Sequence, residues 1–180
     1  MNPLQMKPEN RHRLSLGGVL QGTLSGLPRG DAGVKHTLHV MRSLVRQFKK
    51  NLPLRELALS IVQPLPGKAW SREVAALQRW VQTNIRYVKD IRGVETVHAP
   101  DKLLLIRQGD CDDQAVLLAA MLETLGHPSR FVAVGFSPFA YSHVLTETKI
   151  GDKWVALETI NPWAPGRKPP GIIKQMIVHN

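Results

Sequence analysis

Cys111 is the only cysteine in the 180-residue chain. A lone thiol closes no internal disulfide and builds no multi-cysteine metal site, so the chemistry open to it is that of a nucleophile. It lies in Gly109-Asp110-Cys111-Asp112-Asp113-Gln114-Ala115, directly ahead of an apolar run. The thiolate is the reactive form, and an ordinary cysteine is mostly thiol at neutral pH. A helix N-terminus lowers the pKa through its unpaired N–H groups. A histidine that takes the proton and returns it to the leaving group completes the activation. A carboxylate on the far ring nitrogen then fixes the tautomer and stabilises the imidazolium. Downstream, Ser142-His143-Val144 supplies the histidine and Trp154-Val155-Ala156-Leu157-Glu158 the carboxylate. Cys111, His143 and Glu158 are therefore the expected catalytic residues.

Three further acids crowd the thiol and oppose thiolate formation. They also have structural work at a helix start. Asp110 suits the N-cap, and Asp112 and Asp113 favour the positive end of the helix. One of the latter two has the alternative of binding a basic neighbour.

The elements that must hold these side chains can be read from periodicity. Ala115, Leu118, Ala119, Leu122 and Leu125 give a helix from Cys111 to Leu125, stopped by Gly126 and Pro128. The pattern then switches to strands over 130–136, 142–150 and 153–159, the last two joined by a Gly151-Asp152 turn. Symmetric pairing across that turn places residue 158 two positions from facing residue 143, so His143 and Glu158 come within diagonal reach. A last strand is expected over 172–178. Upstream, Leu38, Met41, Val45 and Phe48 predict a helix over 36–50, closed by Lys49 and Lys50. Pro53 starts a second helix, carrying Leu54, Leu57, Ala58 and Ile61. A third helix follows with Ser71 as its cap and Val74, Leu77, Val81, Ile85 and Val88 on one face. A short helical turn runs from Asp101 to Arg107 after Pro100. Residues 1–34 hold six glycines and three prolines and show no sustained period. They are expected to be an irregular arm, with short strand pieces around Val19-Leu20, that needs a surface to pack on; 35–180 is the domain.

Taken together, the Gly109–Asp113 motif, Gly126-His127-Pro128, Arg130-Phe131-Val132, Ser142-His143-Val144 and Trp154–Glu158 resemble the transglutaminase-like cysteine-enzyme superfamily over roughly residues 70–160. The resemblance implies an α+β fold with a papain-like core, in which helices pack on an antiparallel sheet. The helix carries the cysteine, and the sheet carries the histidine and the acid. That acid is usually Asp in the superfamily, whereas this chain offers Glu158. The resemblance also places a side-chain donor for the oxyanion in or near Ile85-Arg86-Tyr87-Val88. Asn84, Tyr87 and Gln114 are the candidates, beside the backbone N–H of Cys111. It implies an amide-directed hydrolase or acyltransferase working through a thioester, a protease or amidase rather than a crosslinker. Its substrate would be a peptide or protein. Small chains of this pattern also resemble ones from tailed-phage and prophage genes. That is the basis of a second expectation, a virion component that docks on protein partners through its arm.

No cofactor and no metal are expected. His36 and His39 lie three apart on a helix face but lack a third ligand, and no motif suggests calcium-dependent control. His127 is expected to be a loop residue, His98 has no assigned role, and Trp70, Trp80, Trp154 and Trp163 are expected in the core or along the cleft. The net charge is +10 and the pI about 10.2. The basic residues are spread, with no aromatic–basic interleaving, so nucleic acid is not the expected partner. No stretch is apolar enough to span a bilayer and no secretory signal is visible. The expected location is cytoplasmic after synthesis, or on a virion.

Overall fold

The computed structural model describes residues 22–24, 30–90 and 95–180. Most of the expected arm, including Leu14, Leu16, Leu20, Leu27 and the strand piece at Val19-Leu20, lies outside the described residues. Within that stretch, β1 (Gly22–Leu24) pairs antiparallel with β3 (Glu95–Val97), and helix α1 already begins at Asp31.

Helices α1 (Asp31–Phe48), α2 (Leu52–Val62) and α3 (Trp70–Asn84) surround a central helix, α5 (Cys111–Thr124). Each outer helix turns one apolar stripe inward. Leu38, Met41 and Val45 of α1, Leu54 and Ala58 of α2, and Val74, Leu77 and Val81 of α3 are all buried. By contrast, α5 is buried nearly all round, because the sheet covers the side the helices leave open. Asn51 caps α2, its Oδ1 accepting from Leu54 N at 3.0 Å. Ser71 does not cap α3. The helix starts at Trp70 with Ala69 in the cap position and no side-chain cap bond.

The main sheet runs β7 (Lys153–Leu157), β6 (His143–Ile150), β5 (Ser129–Gly135), β8 (Lys174–His179), antiparallel throughout. One face of β6 packs on α5, where Thr146 Oγ1 donates to the Ala115 carbonyl at 3.1 Å. The opposite face carries Glu147, almost fully buried, gripped by Arg130 at 2.6 Å and Lys168 at 2.7 Å. None of the four tryptophans is buried. Trp70 stands exposed, and Trp80, Trp154 and Trp163 lie under Arg107, Arg130 and Arg167. Trp80 also packs against the core, which is otherwise built mainly of aliphatic residues with Phe131, and the three indoles each stack a cation. No helix among the described residues is long and apolar enough to cross a membrane.

Candidate active site

The chain delivers Cys111 through a short sequence of forced contacts. Helix α4 (Pro100–Ile106) ends at Arg107, whose left-handed φ of 55° turns the chain into β4 (Gln108–Gly109). β4 pairs in parallel with β2 (Arg86–Tyr87), and Val88 N donates to Gly109 O at 2.9 Å. Asp110 then caps α5. Its Oδ1 accepts from Asp112 N (3.0 Å) and Asp113 N (3.3 Å), while Asp113 Oδ2 reaches back to Asp110 N (3.2 Å). This reciprocal capping box fixes the first turn of the helix and with it the thiol. Gly109 has to be glycine: a Cβ there would run into Asp113 Oδ2 and stand 2.8 Å from Leu103 Cδ1. Asp113 is buried and also accepts from His98, at 2.6 Å from its backbone N and 3.0 Å from Nδ1. His98 thus gains a role that its sequence position does not suggest.

The sheet supplies the partners. The β6–β7 ladder pairs Thr146 with Leu157; one step further puts Glu158 beside Leu145, two residues from His143 and on the same face. His143 Nε2 and Glu158 Oε2 lie 2.8 Å apart, and Glu158 is completely buried. Its other oxygen, Oε1, accepts from Ile160 N at 2.7 Å. Glu158 thus takes His143 Nε2, and Nδ1 is the ring's other nitrogen. The thiol itself receives the backbone N–H of Val144, the residue next to His143.

Electrostatics divide the site into two halves. Burial pushes Glu158 up, but the hydrogen bond and charge of His143 and the N–H groups of Ile160 and Asn161 outweigh it. The carboxyl ends below the usual range and is ionised at neutral pH. Around Cys111 the balance is reversed. Burial pushes the thiol well up, followed by the charges of Asp112 and Asp110, and only the Val144 N–H opposes them. Cys111 Sγ also donates to Asp112 Oδ1 at 3.5 Å, which favours the protonated form. Asp110 is itself pushed up to about 7, by burial and then by the charge of Asp113. The expected lowering at a helix N-terminus is therefore overcome locally by desolvation and by two carboxylates, so the resting sulfur is a thiol.

The other candidates part company. Tyr87 is on β2, across from Gly109, and is about half exposed. Burial, then the charges of Cys111, Asp110, Asp112 and Asp90, raise its pKa, so its hydroxyl stays a donor. Asn84 turns away: its Nδ2 donates to Trp80 O at 2.9 Å, within its own helix. Gln114 is buried one residue beyond Asp113, and its Oε1 has no partner among the described residues. His127 is tied to Glu73 at 2.9 Å, a strut between α5 and α3. Among the described residues, ligand atoms of Asp110, Cys111 and Asp112 lie within 4.8 Å of one another.

Comparison with known proteins places the fold in a family. The family model of the transglutaminase-like superfamily matches residues 55–159, more than half of the chain. The chain belongs to the transglutaminase-like superfamily. Its fold is shared with a candidate cysteine protease from Cytophaga hutchinsonii (TM-score 0.52, 19% identity, 78% of this chain and 52% of that one). It is shared also with a candidate protease from Parabacteroides distasonis (TM-score 0.58, 16% identity, 79% of this chain and 29% of that one). A third is calcium-bound LapG of Legionella pneumophila (TM-score 0.53, 13% identity, 76% of this chain and 80% of that one). The chain spans about half the length of the first and under a third of the second. No curated protein matches it.

Proposed function

We propose that this protein is a cysteine-dependent hydrolase or acyltransferase of amide bonds in peptide or protein substrates, with Cys111 as nucleophile, His143 as general base and acid, and Glu158 as the acid that orients the ring. The observation that carries the reading is the 2.8 Å contact of His143 Nε2 with the buried, ionised Glu158, while Val144, the residue after His143, gives its N–H to the Cys111 thiol at the start of α5. Glu158 accepts the Nε2 proton, so Nδ1 presents a lone pair to the thiol. Nδ1 takes the proton as sulfur attacks the amide carbon. The oxyanion is received by the Cys111 N–H and the Tyr87 hydroxyl. The imidazolium returns the proton to the leaving nitrogen, the C–N bond breaks, and a thioester remains. Water activated by the same ring releases the acid; an amine in place of water would make a new amide. The fold shared with candidate proteases favours water. Incubation of the protein with a fluorogenic peptide library, alongside Cys111→Ala and His143→Ala, tests this. Turnover by wild type alone supports it, and equal turnover by Cys111→Ala refutes it.

The virion reading rests on the arm, which lies mostly outside the described residues.

A further inference from the structure

Glu158 is the first residue past β7, where the chain leaves the sheet for an irregular segment that continues to β8. A carboxylate at a strand end keeps its aim only if the backbone beneath it is held. Two glutamines of α3 hold it. Gln78 Nε2 donates to the carbonyls of Glu158 (2.7 Å) and Trp163 (3.0 Å). Gln82 Nε2 lies 2.8 Å from the carbonyl of Glu158, 2.9 Å from that of Asn161 and 3.0 Å from that of Trp163. Residues four apart on a helix share a face, so both amides enter the same turn. With the carbonyls of residues 158, 161 and 163 drawn towards α3, the N–H groups of Ile160 and Asn161 serve the Glu158 carboxylate. The α3 face is otherwise aliphatic, with Val74, Leu77 and Val81. A buried Gln78 is costly there, since its Oε1 has no partner among the described residues. Leucine would fill the space without that cost, so the donor end is what the position uses.

We propose that Gln78 and Gln82 are positioning residues of the thiol site: they fix the turn after β7, thereby aim Glu158, and so set which nitrogen of His143 carries the proton. The inference rests on the triad reading of Cys111, His143 and Glu158. It predicts that the donor character of residue 82, not its bulk, is what matters. Lysine at this half-buried position can donate three hydrogen bonds into the same three carbonyls, whereas leucine fills the volume and donates none.

The test compares the full chain with Gln82→Leu, Gln82→Lys and the double variant Gln78→Leu/Gln82→Leu. The ring protons of His143 are read by long-range ¹⁵N–¹H NMR with the imidazole neutral, a measurement that needs no turnover. Wild type should show the Nε2–H tautomer alone. Gln82→Leu should give a mixture, and lower kcat about 10- to 100-fold while KM stays within about twofold. Its kcat/KM profile should lose activity at higher pH on the acid side, because a loosened Glu158 is easier to protonate. Gln82→Lys should restore both the tautomer and kcat. The double variant should be worse than Gln82→Leu; if it does not fold, the two single variants decide. A wild-type tautomer and kcat in Gln82→Leu would overturn the inference, as would loss of both in folded Gln82→Lys. If wild type hydrolyses no amide but its tautomer still depends on Gln82, the proposed activity fails and the positioning role survives. If wild type is active and the variants match it, only the positioning role fails.

Discussion

Replacing Asp112 by Asn should release the Cys111 thiol. After burial, the Asp112 carboxylate is the largest influence holding the proton on sulfur, and its Oδ1 is 3.5 Å from Sγ. Two unit charges at that separation repel by about 1 kcal/mol at the dielectric constant of water and by about 5 kcal/mol at an effective value near 20. Cys111 is half-buried, which places the pair between these limits. Since one pKa unit is about 1.4 kcal/mol, the thiol should titrate about one unit lower or more in Asp112→Asn. Asparagine keeps the size of the side chain, and the helix cap is untouched because it belongs to Asp110. The assay is the rate of iodoacetamide alkylation against pH, unambiguous in a chain with one cysteine. A lower pKa also makes a weaker nucleophile, so the neutral-pH rate should rise only about three- to fourfold for a one-unit shift. An unchanged or higher midpoint would refute the electrostatic account of the site.

The remaining predictions concern activity and stability. Glu158→Ala should lower turnover about 100-fold or more, read as kcat on a peptide substrate, because the imidazole loses its orienting acid. Folded Glu158 titrates below its ordinary 4.5, so its stabilisation is full above that value and fades as pH falls beneath it. Melting curves of wild type and Glu158→Gln should therefore converge on acidification. Glu147→Ala should cost about 3–5 kcal/mol in urea denaturation, because it leaves Arg130 beside an emptied buried position; the half-exposed Lys168 brings the expectation to the lower end. Gly109→Ala should cost about 1–3 kcal/mol by overpacking against Asp113 and Leu103, and slow Cys111 alkylation as the capping box is displaced; an unchanged melting temperature would contradict the tight fit.

The sheet and the helix that starts at Cys111 were legible because their periods are long enough to declare themselves. Strands expected over 130–136, 142–150 and 153–159 fall at Ser129–Gly135, His143–Ile150 and Lys153–Leu157, with the turn at Gly151-Asp152 setting the register. Asp110 reads as a cap because an acid directly before an apolar helical run has little else to do. The two-residue ladder of β2 and β4 carries no period at all, yet it sets Tyr87 across from Gly109, two residues before Cys111. Gln78 and Gln82 look like polar interruptions of an apolar stripe, and only the path of the chain after Glu158 gives them partners. His98 likewise acquires Asp113 only through tertiary contact. The thiol's protonation was the hardest feature to read, since helix position and neighbouring acids pull in opposite directions and burial decides between them.

The rate of covalent labelling at Cys111 tests the central claim most directly, because any accessible cysteine labels eventually and only an activated one labels fast. Intact-mass kinetics with a peptide-based thiol probe should show one adduct, mapped to Cys111, forming about 100-fold faster in wild type than in His143→Ala, with Glu158→Ala between them. Equal rates in all three proteins would mean that His143 and Glu158 do not activate the sulfur, and the triad would be reduced to a packed hydrogen-bonded pair beside an inert thiol.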